Sequence, residues 1–158
     1  MKCLGLIGGG FYFEDLELGT SWRSAGRTLL EPDLATYINL TWFTEDLFTD
    51  LHDSASNAIG GRPVPALLVM AFAEGLIAST LSRTGLAFLN VDMNVLGPTR
   101  VGDTIHVECE VIEAKVTSKG DRGLVRTRNT VVNQDGTATL EYRPLRLLKL
   151  RSSPTPSS

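Results

Sequence analysis

The chain has 158 residues, 42% hydrophobic and 21% charged, with a net charge of −3. That length suits one domain with one sizeable core, and the acidic balance, without a basic stripe or tail, removes the electrostatic reason to expect a nucleic acid partner. Two cysteines, Cys3 and Cys109, are too few for a disulfide framework and point to a reducing, cytoplasmic setting.

The opening MKCLGLIGGG breaks into three glycines rather than a small-residue cleavage site, so it does not read as a secretion signal. Gly8-Gly9-Gly10 is not a phosphate loop either, because no strand precedes it and no Lys-Ser or Lys-Thr pair follows. Residues 1–10 are predicted to be a flexible leader. Phe11-Tyr12-Phe13 supplies an aromatic anchor, Gly19 a turn, and short strands are predicted over 20–24 and 27–30. Glu31-Pro32-Asp33 then opens a helix. Proline suits its first position, the acids complement the positive dipole end, and Leu34, Tyr37, Ile38 and Thr41 recur at helical spacing up to Trp42.

From Phe43 to Gly61 the pattern is irregular and acidic, with Glu45, Asp46, Asp50, His52 and Asp53 set among Phe48, Leu51 and Ile59. A loop of that length inside a compact domain usually carries function. The next stretch, 62–85, organises the chain. At about 100° per residue, Leu67, Met70, Ile77 and Leu81 fall on one side and Leu68, Val69, Phe72 and Leu76 on another, which predicts a helix buried all round. It is shorter than the roughly 20 nearly unbroken apolar residues a bilayer requires, so protein and not membrane must cover it. Ala71, Gly75 and Ala78 form a small-residue side that lets a sheet approach closely. Four strands follow, over 87–96, 104–115, 123–133 and 137–150. In the second, Ile105, Val107, Cys109 and Val111 alternate with Thr104, His106, Glu108 and Glu110, the mark of a half-solvated antiparallel strand. Asp135-Gly136 is a hairpin signal, and residues 151–158 form a polar Ser/Pro tail with too little to bury.

One long apolar helix followed by an antiparallel meander is an α+β plan in which a curved sheet wraps a central helix, the hot-dog arrangement, over residues 11–150. Open sheet edges make a dimer the physical remedy.

The sequence resembles the MaoC-like dehydratases, which include the (R)-specific enoyl-CoA hydratases. The resemblance covers Phe11 to Arg151. It rests on Tyr12-Phe13-Glu14-Asp15 with Gly19, Gly26-Arg27-Thr28, Leu40-Thr41, Gly60-Gly61-Arg62-Pro63-Val64-Pro65 entering the helix, and Pro98-Thr99-Arg100-Val101-Gly102-Asp103. It implies reversible hydration of a 2-enoyl thioester, carried by CoA or acyl-carrier protein, with no cofactor or metal, in a homodimer or in a heterodimer with a related subunit. In the family an Asp and a His in the loop before the helix handle the water. A backbone N–H at the helix start polarises the thioester carbonyl.

Counting back from Gly60-Gly61-Arg62, the family's His position falls on Phe48 and its Asp position on Phe43. A phenyl ring neither accepts nor donates a proton, so that mechanism cannot run through these two positions. Asp46 and His52 are the candidate displaced pair, and Ala66, which stands where the family has Gly, supplies the candidate oxyanion N–H. Trp42, Phe43 and Phe48 are candidate lining for the acyl group, and Arg62 is a candidate for CoA phosphates or for loop carbonyls. Two alternatives have a different chemistry. The chain is then a non-catalytic acyl-thioester-binding subunit paired with an active hot-dog partner, or a thioesterase using Glu74, which interrupts the apolar side of the helix and has Arg126 and Arg128 as prospective partners.

Overall fold

A computed structural model describes residues 8–52 and 58–151. Most of the predicted leader, Cys3, Asp53 and residues 152–158 of the tail lie outside the described residues. Six strands build the sheet: β1 (Ser21–Arg23), β2 (Arg27–Thr28), β3 (Gly85–Val95), β4 (Thr104–Val116), β5 (Arg122–Val132) and β6 (Ala138–Lys149). The order is β1-β4-β5-β6-β3, every pairing is antiparallel, and β2 adds to β4. Helix α1 (Glu31–Thr41), the single turn α2 (Asp46–Thr49) and the central helix α3 (Ala66–Ile77) precede β3. The α+β hot-dog plan expected from periodicity is the plan observed. Among the described residues no helix is long and apolar enough to cross a membrane.

Alternation fixes the core. Ile105, Val107, Cys109 and Val111 of β4, Val125 and Val131 of β5, and Leu140, Tyr142 and Leu148 of β6 point inward. Ile105, Val107, Cys109, Val131, Leu140 and Tyr142 meet Leu68, Val69, Phe72, Ala73 and Ile77 of α3, while Val111, Val125 and Leu148 gather with Leu16 in a second cluster. Cys109 is buried and free. The outer parity carries charge instead, with Arg128 facing Glu110 and Arg126 facing Glu113 at 3.4 Å each.

Three local features depart from the sequence-based expectation. Helix α3 is buried on one side only: Leu67, Ala71 and Gly75 are exposed, and nothing approaches a Cβ built on Gly75. The sheet reaches a single face of the helix, so the small-residue side is open rather than covered. The regular helix also stops at Ile77 and tightens into a 3-10 turn over Ala78–Leu81. Near the amino end, the N–H groups of Gly10 and Phe11 donate to the carbonyls of Ser82 and Thr80, both at 2.8 Å, so the chain is anchored from Gly10 onward. Phe13 lies across β5, so close to Gly123 that a Cβ there would meet its ring at 2.1 Å.

Candidate functional site

The leading end of α3 is assembled by backbone pairing. The segment before it lies along the turn between β3 and β4: Val64 N–H donates to Thr99 O at 2.8 Å and Val101 N–H to Arg62 O at 2.9 Å. Gly61, at φ 74°, occupies the left-handed region, and a Cβ there would press on Arg100 at 3.3 Å, so glycine suits both the turn and the close approach. Two arginines hold this loop. Arg100 donates to the carbonyls of Gly60 at 2.8 Å and Ile59 at 2.6 Å. Arg62 grips the Glu31 carboxylate at 2.6 and 3.0 Å and also donates to the carbonyl of Phe48. The hydrogen bond from Arg62 holds the Glu31 carboxyl below its ordinary value. Arg62 thus ties the loop to α1 through the Phe48 carbonyl and Glu31.

Beside this end lies a cavity of about 170 Å³. Phe48, Val69, Pro98 and Leu140 wall it, Pro65 and Ala66 form its rim, and Thr99 and Thr139 contribute hydroxyl groups. No titratable side chain lines it among the described residues. The first N–H groups of a helix lack intrahelical partners and sit at the positive end of its dipole, so the Ala66 end offers a fixed donor to a carbonyl placed there. Phe48 is buried, and Phe43 packs behind it with ring centroids 5.4 Å apart, backed in turn by Tyr37 at 6.3 Å. Phe43 is thus a neighbour of Phe48, the ring that lines the cavity.

The other sequence candidates lie elsewhere. Asp46 begins α2 and is exposed. His52 is exposed, with its backbone N–H donating to Asp50 Oδ1 at 2.9 Å. Neither lines the cavity. Trp42 ends α1 in the left-handed region at φ 58°, which swings its ring away from the protein, and it is 85% exposed.

Glu74 occupies a separate polar cluster midway along α3. Its carboxylate accepts from Arg146 at 2.6 Å and from the hydroxyl of Tyr142 at 2.8 Å. The Arg146 guanidinium also lies over the Phe88 ring, 5.3 Å from its centroid. Arg126 and Arg128, the partners expected from sequence, lie on the outer face, because they alternate with the buried Val125, Thr127 and Asn129. Arg146 was missed, yet its parity with Leu140, Tyr142 and Leu148 marks it as inward. Burial, and then the charge of Glu74, push the Tyr142 phenol well above its ordinary value. Burial pushes the nearby Cys109 thiol up to about 12.

No family model matches the sequence. The chain is 28% identical over 150 residues to mesaconyl-CoA hydratase of Cereibacter sphaeroides, covering 94% of this chain and 44% of that protein. It is 24% identical over 102 residues to 3-hydroxybutyryl-CoA dehydratase of Methylorubrum extorquens, covering 65% of this chain and 64% of that one. The alignments therefore span less than two thirds of each of these relatives. Among solved structures, a monoamine oxidase regulatory protein from Archaeoglobus superposes with a TM-score of 0.82 at 28% identity, over 90% of this chain and 96% of that one. The MaoC-like dehydratase from Rhodospirillum rubrum also gives 0.82, at 20% identity, over 90% and 99%. A Mycobacterium tuberculosis protein with a double hotdog fold gives 0.75 at 22% identity, over 96% of this chain and 48% of that one. These last two likenesses speak to fold alone. Helix, sheet order and loop motifs agree with these likenesses: the fold is the hot-dog fold, and the chain is similar to MaoC-like dehydratases and enoyl-CoA hydratases.

Proposed function

We propose that the chain is an acyl-thioester-binding unit of a 2-enoyl hydratase/3-hydroxyacyl dehydratase, and that the acid–base groups acting on water come from a second hot-dog unit. One observation carries this reading. The cavity beside Ala66, where the family's chemistry belongs, has no titratable side chain in its lining among the described residues, with Phe43 and Phe48 at the positions matched to the Asp and His. The acyl group of a CoA or acyl-carrier-protein thioester enters that cavity. Its carbonyl oxygen meets the N–H at the start of α3, where developing negative charge is favoured.

The second unit pairs along β3, which among the described residues has a neighbour on one side only and exposes Leu86, Phe88, Leu89 and Val95. An open edge of eleven residues with four exposed apolar side chains requires a cover, and a second copy or a related subunit supplies one. The double hotdog fold of the Mycobacterium protein, about half of which this chain matches, is consistent with such a pair. A thioesterase centred on Glu74 is not favoured, because Arg146 and Tyr142 already engage that carboxylate.

The test joins binding to turnover. Calorimetry with crotonyl-CoA should show binding by the wild-type chain, while hydration by the chain alone should stay at background. Ala66→Pro removes the N–H at a helix position that tolerates proline, and it should weaken binding while circular dichroism remains native. Hydration by the purified chain that falls on replacing Asp46 or His52 with Ala would overturn the reading in favour of the displaced pair.

A further inference from the structure

The acyl cavity carries two hydroxyl groups that its packing does not require. The side chains of Thr99 and Thr139 are both buried, at 5% and 2% exposure, and Thr99 Oγ1 donates to Thr139 Oγ1 at 2.9 Å. The backbone already ties the turn after β3 to β6 at this point: the N–H groups of Leu96 and Gly97 donate to Thr139 O at 3.0 and 3.2 Å. Valine has the shape of threonine and would fill the same space without burying a hydroxyl, which costs free energy unless it is hydrogen-bonded. A hydroxyl has one proton and two lone pairs. After the single bond between the two threonines, the proton of Thr139 and the lone pairs of Thr99 are still to be matched, and both residues line the cavity.

The surrounding charges set the sign of what fits. Arg62 and Arg100, which flank the cavity, direct their guanidinium groups to Glu31 and to the carbonyls of Phe48, Ile59 and Gly60. No cation lines the cavity among the described residues. A carboxylate entering it would lose its hydration with no compensating charge. At about 170 Å³ the space is well below the roughly 300–1,000 Å³ of sites for drug-sized ligands, so it suits an acyl group of a few carbons.

Resting on the acyl-thioester reading above, we infer that this cavity selects short acyl groups bearing one neutral hydrogen-bonding substituent, matched by the Thr99–Thr139 hydroxyl pair, and rejects acyl groups that end in a carboxylate. The experiment compares three thioesters of equal chain length on the full chain: pentanoyl-CoA, 5-hydroxypentanoyl-CoA and glutaryl-CoA, titrated calorimetrically. The hydroxylated ligand should bind roughly fivefold tighter than pentanoyl-CoA, the worth of one net hydrogen bond, and glutaryl-CoA should bind roughly a hundredfold weaker. Thr139→Val should bring the ratio of the first two affinities to about one. Thr139→Ser, which keeps the hydroxyl, should restore the preference and separates recognition from folding. Pentanoyl-CoA binding with no preference for the hydroxyl, or with a preference that Thr139→Val leaves intact, overturns the inference and leaves the acyl-thioester reading standing. Binding of none of the three overturns both.

Discussion

The two stretches of α3 handle polarity in opposite ways. At the leading end, Pro65 to Val69, the helix borders a cavity walled by Phe48, Pro98 and Leu140, and the nearby charges of Arg62 and Arg100 turn away onto carbonyls and Glu31. Midway along, Glu74 reaches into the protein, where it meets Arg146 and Tyr142 next to the buried Cys109. Along a single helix of twelve residues, the empty space holds no ionisable group among the described residues and the ionisable groups are packed. A reactive group needs a place for substrate beside it, and the mid-helix groups engage each other instead. The contrast teaches that cavity and titratable cluster must coincide before either is read as catalytic.

The largest expected effect tests the packed half. Glu74→Ala leaves Arg146, whose side chain is 8% exposed, without its ion partner. Stranding one partner of a buried pair typically costs about 3–5 kcal/mol; Glu74 itself is 27% exposed, which places this case near about 3 kcal/mol. Urea unfolding should show that loss, while crotonyl-CoA affinity of the folded fraction stays at the wild-type value. Loss of affinity without loss of stability would move Glu74 into the functional half and break the contrast.

A smaller effect tests the cavity half. Phe48→Leu removes ring volume from the wall at a buried position and should cost about 1–2 kcal/mol. The widened cavity should shift preference toward longer acyl chains, read as a rise in the octanoyl-CoA to butyryl-CoA affinity ratio. An unchanged ratio would place the acyl group elsewhere.

Cys109 sharpens the comparison without any substitution. Burial raises its thiol to about 12, so at neutral pH the nucleophilic thiolate is scarce as well as inaccessible. An aromatic disulfide reagent should leave Cys109 unlabelled in the native chain and label it fully in denaturant, as peptide mass spectrometry would report. Rapid native labelling would mean that the mid-helix region opens.

How much of this was legible beforehand differs between the same two regions. The sheet was readable because β4 alternates strictly from Thr104 to Val111 and Asp135-Gly136 punctuates the last hairpin. Phe43 and Phe48 were singled out by their spacing from Gly60-Gly61-Arg62, and the fold brings the two rings together, with Phe48 in the cavity wall. The mid-helix cluster was half legible. Glu74 stood out on an apolar side, but its partner was sought on β5, where parity sends Arg126 and Arg128 outward. Local sequence does not say which of several arginines a helix will meet, because strand register decides it. Exposure was legible least. Leu67, Ala71 and Gly75 look like core residues, and Trp42 looks like a pocket residue, until the count of faces the sheet can cover and the left-handed end of α1 place them outside.

The smallest expected effect concerns the clamp that holds the cavity rim. Arg62 holds the Glu31 carboxyl below its ordinary value of 4.5, so the folded chain binds this proton less readily than the unfolded chain. Stability from this group is therefore fully present above the ordinary carboxylate value and is lost as pH falls through the lower, folded value. Glu31 is half exposed, which screens the pair and keeps the contribution small. The melting temperatures of wild type and Glu31→Gln should differ slightly at neutral pH and converge in acid below the folded value. Because Arg62 also donates to the carbonyl of Phe48, the wild-type protein should lose acyl-CoA affinity over the same acid range, and Glu31→Gln should remove that pH dependence. If instead the wild-type and Glu31→Gln affinities vary with pH in parallel, the clamp does not set the geometry of the rim, and the cavity is held by the Val64–Thr99 and Val101–Arg62 backbone pairing alone.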